Sequence, residues 1–272
     1  MLVPVPPALL SRLEEWDGTA APTRDAATIA LLRPGAAGPQ TYLLRRQATM
    51  AFAPGMYVFP GGGVQESDRE ACEWVGPTSA QWGERLGCPP DVARALVVAA
   101  VRETFEESGI LFAGADDATI VQDVSGPDFQ RARLALDAGE LSFADFLGAH
   151  GLVLRADLLG AWSHWITPDF EPRRYDTRFF VATVPRGQSV GSLPGEADRG
   201  EWTDLASVLS AVRDKEAAML PPTWITCQEL ADLDPEAVVG AAAARTIAPI
   251  QPRVVEVDGR HFLENPLQED PA

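Results

Sequence analysis

The sequence predicts a mixed α and β fold, of the α/β or α+β class, in which helices surround a small sheet. Short apolar runs alternate with glycine and proline in the first 65 residues, a long amphipathic helix follows, and further extended runs appear after residue 160. The 272 residues are 46% hydrophobic, which is enough to bury a sizeable core. We therefore expect one domain over residues 1–272 with insertions.

The first strands are predicted in the apolar runs 25–33 (DAATIALLR) and 41–46 (TYLLRR). The proline and glycine-rich residues 34–39 separate them as a loop. Residues 57–59 form a third extended piece, which ends at Pro60 and a turn of three glycines, 61–63. A helix is expected after this turn.

The strongest helix is predicted over residues 91–108, with Asp91 as the N-cap and Gly109 as the stop. Its two faces differ: apolar residues at i, i+3 and i+7 are Val98, Val101 and Phe105, and acidic residues at i, i+3 and i+4 are Glu103, Glu106 and Glu107. One face is expected to pack and the other to present carboxylates.

The rest of the chain supplies a helical insertion and further core elements. The predicted elements are a helical insertion at 126–160, extended runs at 162–167 and 176–184, a helix at 202–212, and a hairpin at 254–263. The hairpin prediction rests on an Asp-Gly turn between alternating apolar residues.

The composition excludes several classes of partner. A formal charge of −17, from 39 acidic and 22 basic residues, opposes nucleic acid as a main partner. The longest apolar run, residues 95–101, is too short for a membrane span, and the N-terminus does not resemble a secretory signal. We therefore expect a cytoplasmic protein without a membrane partner. An anionic small molecule remains compatible because bound metal reverses the local field.

The acidic face of the helix indicates a metal site. Three glutamates within one and a half turns repel one another, so a cation must offset them. Arg102, four residues before Glu106, is one such cation, and Mg²⁺ or Mn²⁺ is the expected second, since hard cations prefer oxygen ligands. A solvated helix face is the alternative reading. The preceding residues 59–62 and the closing Gly109 favour the metal site.

Residues 102–110 (RETFEESGI) resemble the second half of the Nudix box, R-E-U-x-E-E-x-G-U with U bulky or aliphatic. In the first half, Gly62 plus five residues reaches Asp68, where Glu is usual, and a much longer spacer, 69–101, follows. Whether Asp68 keeps a role, or Glu66 or Glu70 replaces it, stays open. Four further segments resemble sequences of the Nudix branch that contains the peroxisomal coenzyme A diphosphatase of animals. They are residues 48–62, 162–168, 174–180 and 219–222.

This resemblance implies an α/β/α sandwich with a mixed central sheet. Its core spans about 24–230, with two largely helical insertions at about 69–90 and 115–160 and a C-terminal hairpin extension at about 250–265. At least one insertion is expected to cover a cleft edge or a dimer partner.

The resemblance also implies the site residues. The implied metal ligands are Glu103, Glu106, Glu107 and Gly62, and the implied catalytic residues are Glu103, Glu107, Arg102 and a later loop carboxylate, Glu196 or alternatively Glu201. The candidate substrate-binding residues are Arg45, Arg46, Arg174, Gly61 and Gly62. Neighbouring strand residues face opposite ways, so at most one of Arg45 and Arg46 should reach the cleft. For Trp162, Trp165 and His164, packing is favoured over ligand binding.

The predicted activity is therefore metal-dependent hydrolysis of a diphosphate bond in a nucleoside diphosphate joined to another moiety. Resemblance to the branch points to coenzyme A or acyl-coenzyme A. ADP-ribose or NADH is an alternative substrate, and a Nudix-fold module that binds such a ligand without cutting it is an alternative of a different class. The sequence is compatible with a homodimer.

Overall fold

The computed structural model describes residues 2–5, 7–47, 55–191 and 197–264. The strands are β1 (Leu2–Pro4), β2 (Thr23–Pro34), β3 (Pro39–Arg46), β4 (Tyr57–Val58), β5 (Gly61–Gly63), β6 (Trp74–Val75), β7 (Ala113–Gly114), β8 (Val153–Arg155), β9 (Gly160–Ile166), β10 (Arg174–Thr183), β11 (Ala197–Asp204), β12 (Pro249–Ile250), β13 (Arg253–Val257) and β14 (Arg260–Glu264). The α-helices are α1 (Pro7–Glu15), α2 (Ser79–Leu86), α3 (Pro90–Ser108), α4 (Pro127–Asp137), α5 (Phe143–Ala149), α6 (Leu205–Arg213), α7 (Pro221–Leu230) and α8 (Val238–Ala243).

The central sheet is mixed, as predicted. Its strand order is β11-β3-β2-β10-β9-β12, with β4 paired to β3 and β5 paired to β2. Strands β2 and β10 run parallel, whereas β10 and β9 are antiparallel. The middle of β2 is buried without alternation, which is typical of a strand covered on both faces.

Both faces of this sheet carry helices, which confirms the α/β/α sandwich. On one face, Leu31 and Leu44 pack in a cluster with the apolar residues of α3. On the other face, Leu32 and Leu43 pack with residues of α6, α7 and α8. The alternation of strand side chains between these clusters therefore assigns each strand residue to one side.

Helix α3 begins one residue earlier than predicted, and Asp91 is not its N-cap. Pro89 occupies that position with extended backbone, and Pro90 is the first helical residue, where its fixed φ suits the helix. Asp91 instead lies in the first turn. The end is as predicted, because Gly109 adopts the left-handed conformation with φ 77°.

The two insertions are helical, as predicted, and a small sheet joins them. Strand β6 of the first insertion pairs with β8, which in turn pairs with β7. Residues 153–155 are thus extended, although a helical pattern was predicted there. The second insertion packs on α3, where Phe146 of α5 stacks on Phe105 with ring centroids 5.2 Å apart. It therefore covers this helix instead of extending freely.

Two further predictions are corrected by strand pairing. Residues 202–204 belong to β11 because Trp202 pairs with Tyr42 of β3 and contacts its ring, so the helix begins only at Leu205. The glycine turn at 61–63 is itself a strand, paired with residues 26–28 of β2. The C-terminal hairpin is confirmed, with Asp258 and Gly259 at φ 51° and 71° in its turn.

Among the described residues, no helix is both long and apolar enough to cross a bilayer.

Candidate active site

Arg102 is the centre of the site. Its Nε and Nη2 donate to the two carboxylate oxygens of Asp68 at 2.8 and 2.9 Å, and Nη1 donates to Glu103 and Glu106 at 2.9 and 3.0 Å. Burial lowers the pKa of Arg102, but the bond to Asp68 and the surrounding carboxylates outweigh it, so the pKa is raised overall. The guanidinium therefore stays charged and fixes the acidic turn of α3.

Asp68 is the acidic residue that takes the place of the usual Glu in the first half of the Nudix box. It lies in a 3₁₀ helix, Glu66–Arg69, and its side chain is fully buried against Arg102. Glu66 and Glu70 are exposed and face solvent. Asp68 thus anchors the arginine, and the long insertion after it leaves this pair intact.

The glycine strand β5 faces the glutamates of α3, as predicted. The backbone N–H of Gly61 donates to Glu107 Oε2 at 2.7 Å. A Cβ atom added to Gly62 would lie 2.5 Å from Glu103 Oε1, so only glycine allows this approach. Two of the three glutamates therefore meet the same short stretch of backbone.

Glu106 does not fit the alternative interpretation of a solvated helix face, because its side chain is only 5% exposed. Burial outweighs the nearby Arg102 and raises the pKa of Glu106 to about 7. Its Oε1 is buried without a hydrogen-bond partner among the described residues. Such an oxygen is costly to leave unsatisfied and is suited to accept a cation.

These carboxylates fit a divalent cation by their chemistry. Hard cations take oxygen ligands of this kind, and Glu106 keeps an oxygen without a partner. Within the described residues, no three acidic, histidine or cysteine side chains are already drawn together at ligand distance. Glu103 and Glu106 engage Arg102, and Glu107 engages Gly61. Binding would therefore require these side chains to exchange partners.

Only one of the two strand arginines lies on the side of α3, as expected from their neighbouring positions. Leu44 packs in the α3 cluster, so Arg46 shares its face, whereas Arg45 follows Leu43 on the opposite face and is exposed. Glu201 pairs with Leu43, which places it on that opposite face, and it accepts a hydrogen bond from Tyr57 at 3.2 Å. Glu196 and residues 48–54 lie outside the described residues.

Arg174 is not brought to this site. It is buried, and its guanidinium donates to the carbonyls of Thr167, Pro168 and Ala21 and pairs with Asp169 at 2.6 Å. These contacts hold the start of β10 against its neighbours and argue against the predicted contact with substrate.

The aromatic residues and the histidine considered earlier also serve packing. Trp162 and Trp165 belong to the cluster on the face away from α3, and His164 bonds Asp176 at 2.6 Å. Stacking of an adenine ring on either tryptophan is therefore not supported.

Arg133 of the second insertion was missed by the sequence analysis. Its Nε donates to the backbone carbonyl of Glu106 at 2.7 Å, and the residue is 3% exposed. A helical signal was available, because Arg133 lies four residues after Phe129 and three before Leu136, on the apolar face of α4, whereas Arg131 does not. Only the packing of α4 against α3 brings Arg133 to the site.

Comparisons with known proteins show which family and which relatives the chain resembles. The family model described as the NUDT19 Nudix domain matches residues 77–230, which is more than half of the chain. The chain is 24% identical over 233 residues to the acyl-coenzyme A diphosphatase NUDT19 of Xenopus laevis, covering 72% of this chain and 60% of that protein. It is 26% identical over 256 residues to the protein of the same name of Gallus gallus, covering 78% and 67%.

A solved structure shows the same fold. The crystal structure of a NUDIX hydrolase from Alicyclobacillus acidocaldarius is 29% identical and covers 84% of this chain and 99% of its own, with a TM-score of 0.69. The chain spans about 60% of the length of the Xenopus relative, so similarity to the curated proteins is partial on their side.

Proposed function

The chain belongs to the family of the NUDT19 Nudix domain, and from this premise we propose that it is a metal-dependent pyrophosphohydrolase. The substrate is a nucleoside diphosphate derivative of the coenzyme A or acyl-coenzyme A type. The observation that carries the proposal is the approach of Glu103 and Glu107 to the backbone of Gly61 and Gly62. A diphosphate held there would meet both a cation on the carboxylates and the amides of β5.

Each residue has a proposed role. Glu103, Glu106 and Glu107 would hold Mg²⁺ or Mn²⁺, which supplies Lewis-acid stabilisation of the charge that develops on the phosphate oxygens. Arg102, fixed by Asp68, positions these carboxylates.

Substrate contacts and the base come from other elements. Gly61, Gly62 and Arg46 are proposed to bind phosphate oxygens, since arginine and backbone amides suit this ligand. Glu196 is proposed as the base that takes the proton from the attacking water.

The substrate class rests on two supports. The curated relatives are named as acyl-coenzyme A diphosphatases, and the strings that link this chain to that branch lie in order along it. ADP-ribose and NADH carry the same diphosphate and remain alternative substrates. A module that only binds the ligand is less favoured, because it would have no need for every carboxylate together with the buried Arg102–Asp68 pair.

A substrate panel tests the proposal. The purified protein is incubated with coenzyme A, acyl-coenzyme A, ADP-ribose, NADH and deoxynucleotides in Mg²⁺ or Mn²⁺, and products are identified by mass. Coenzyme A should yield adenosine 3′,5′-bisphosphate and phosphopantetheine, and removal of metal with EDTA should abolish the reaction. Calorimetric binding of a panel member without any turnover would instead identify a binding module.

A further inference from the structure

The last turn of α3, which carries Glu106 and Glu107, is held by segments from outside the helix. The final carbonyls of an α-helix have no partner within it, and an arginine can satisfy them. Here the Glu106 carbonyl accepts a hydrogen bond from Nε of Arg133 on α4 at 2.7 Å, and the Ser108 carbonyl accepts one from the backbone N–H of Gly191 at 2.8 Å. Two donors that are distant in the sequence therefore fix this turn.

Packing alone does not explain an arginine at position 133. The residue is 3% exposed, its Nη2 has no hydrogen-bond partner among the described residues, and none of the ion pairs between described residues includes it. A buried charged donor that stays unsatisfied retains its desolvation penalty. Because an apolar side chain of similar volume would fill the same space without that penalty, we look for the role of Arg133 in the bond that it does make.

The acidic residues of the turn that Arg133 holds lie near its charge. Burial lowers the pKa of Arg133, and Tyr42, Asp137, Glu106 and Glu107 act in the opposite direction through space. Two of these are proposed metal ligands. Arg133 thus contacts the backbone of the acidic turn while its charge lies close to the carboxylates of that turn.

Glycines leave room for the guanidinium at the end of α3. A Cβ on Gly191 would lie 2.6 Å from Arg133 Nη1, and a Cβ on Gly109 would lie 3.4 Å from it. The loop that carries Gly191 is held in turn, because the side-chain amide of Gln188 bonds both backbone groups of Leu111 at 2.8 Å. The guanidinium is therefore enclosed between this loop and the helix end.

We propose that Arg133 is a positioning residue for the metal site, whose bond to the Glu106 carbonyl fixes the last turn of α3 and with it the carboxylates of Glu106 and Glu107. This inference rests on the proposed function. Helical side chains follow the direction of their own backbone, so a turn that loses its cap would carry both carboxylates away from their places. The second insertion thereby takes part in organising the site.

Mn²⁺ affinity separates the position of the carboxylates from the charge of Arg133. Isothermal titration measures Mn²⁺ binding without substrate in the metal-free wild type and in Arg133→Met. Loss of a nearby positive charge would by itself tighten cation binding, so weaker binding reports lost position. We expect Arg133→Met to bind Mn²⁺ at least about tenfold more weakly, as is typical when a group that orients metal ligands is removed. Equal or tighter binding in the folded variant would overturn the inference.

Two controls separate positioning from stability, with thermal melts on every sample. Arg131→Met changes the same helix at a 71% exposed side chain and should behave as wild type. Phe146→Leu weakens the stacking on Phe105 without touching the Glu106 carbonyl, so it should lower the melting temperature but keep Mn²⁺ affinity. If Phe146→Leu weakens Mn²⁺ binding as much as Arg133→Met does, the effect belongs to packing and the inference is wrong.

Arg133→Lys covers the case in which Arg133→Met does not fold. Lysine keeps the positive charge but has a methylene where the donating Nε lies, so the charge stays while this bond is lost. We expect several-fold weaker Mn²⁺ binding, and wild-type affinity would then overturn the inference. A wild type that binds Mn²⁺ but cuts no member of the substrate panel would refute the proposed activity alone, whereas a wild type that binds no Mn²⁺ would overturn both.

Discussion

At the scale of single residues, the site depends on one buried ion pair. Arg102 and Asp68 are 1% and 0% exposed, and two parallel hydrogen bonds join them. Such a bidentate pair fixes a side chain more firmly than a single contact. The direction of Arg102 then decides where Glu103 and Glu106 point.

Replacing Asp68 with Asn should therefore destabilise the protein. The variant leaves the buried Arg102 without its main anion, and loss of one partner of a buried pair costs about 3–5 kcal/mol. The measurement is urea unfolding in the absence of metal. Glu66→Gln is the control, because Glu66 lies in the same 3₁₀ helix with a 93% exposed side chain, and its unfolding curve should match that of the wild type. Equal stability of the two variants would contradict the anchoring role of Asp68.

Glu107→Gln should lower turnover at least about a hundredfold, which corresponds to roughly 2.7 kcal/mol of transition-state stabilisation. The amide oxygen can still accept from Gly61 N–H, so the fold should remain, while the negative charge is lost. Steady-state hydrolysis of coenzyme A at saturating Mg²⁺ provides the test, with thermal melts to verify folding. Glu84→Gln on the exposed side of α2 is the control. Nearly full activity in a folded Glu107→Gln enzyme would argue against the mechanism.

The two candidate loop carboxylates should differ. Glu201 lies on the face away from α3 and bonds Tyr57, so Glu201→Gln is expected to keep turnover close to wild type. Glu196→Gln should reduce it if Glu196 is the base. Initial rates of both variants under the same conditions make the comparison, and the reverse order of effects would exchange their assignments.

At the scale of elements, strand β5 consists of glycines, and the missing side chain at Gly62 allows the Glu103 carboxylate to lie against the backbone. A Cβ at Gly62 would collide with the Glu103 carboxylate, whereas a Cβ at Gly63 would meet nothing closer than 4.0 Å. The pairing of β5 with β2 holds this backbone in place, so the glutamate would have to move.

Gly62→Ala should therefore reduce turnover more than it reduces stability. The displaced group is the flexible end of Glu103, which can rotate without disturbing the core, but it then leaves its place beside the backbone. We expect a loss of about tenfold or more in kcat, measured with the melting temperature on the same samples. Gly63→Ala is the matched control on the same strand. A fully active Gly62→Ala enzyme would show that this close approach is not needed.

The second insertion is part of the core and also covers α3, the helix that carries Arg102 and the three glutamates. Phe146 stacks on Phe105 and also contacts Phe143 and Phe129. Phe146→Ala should cost about 3–5 kcal/mol of unfolding free energy, because it removes contacts and leaves a cavity. Leu134→Ala on α4 is the control, since Leu134 is 62% exposed. Chemical unfolding compares them, and a small effect at Phe146 would mean that the insertion packs more loosely than described.

At the scale of the whole molecule, the excess of acidic residues makes the stability of the folded state depend on bound cations. The chain carries a net charge of −17, and α3 buries the carboxylate of Glu106, which the nearby Arg102 neutralises only in part. A ligand that binds the folded state alone stabilises it by about 2.7 kcal/mol at a hundredfold excess over Kd. For a chain near this size, that amounts to a rise of about 5 to 10 °C in melting temperature.

We therefore expect Mg²⁺ or Mn²⁺ to raise the melting temperature of the metal-free protein by this amount. NaCl of the same ionic strength should produce a smaller rise, because it only screens surface charge. Glu107→Gln should show a reduced response to the divalent ion. An equal response in that variant would place the cation away from Glu107.

The sequence by itself determined the fold class, the central strands β2, β3, β9 and β10, and the acidic helix. Apolar periodicity and terminating glycines are local signals, and the order R-E-x-x-E-E fixes three carboxylates on one helical turn through the geometry of the α-helix alone. Those signals also predicted the turn at 258–259. At residues 202–204 the local pattern predicted a helix, but pairing of Trp202 with Tyr42 of β3 makes this segment a strand.

Only the tertiary structure decided which residues meet across the chain. Asp68 reaches Arg102 from 34 positions away, and its role depends on a buried space that no local pattern describes. Likewise, only the packing of α4 on α3 brings Arg133 to the backbone carbonyl of Glu106, whereas Arg131 on the same helix stays exposed. Arg174 was predicted to bind substrate because arginine suits bidentate phosphate recognition, but neighbouring backbone carbonyls engage it instead. Contacts between distant segments depend on the assembled core, because burial and free donors exist only once the elements pack.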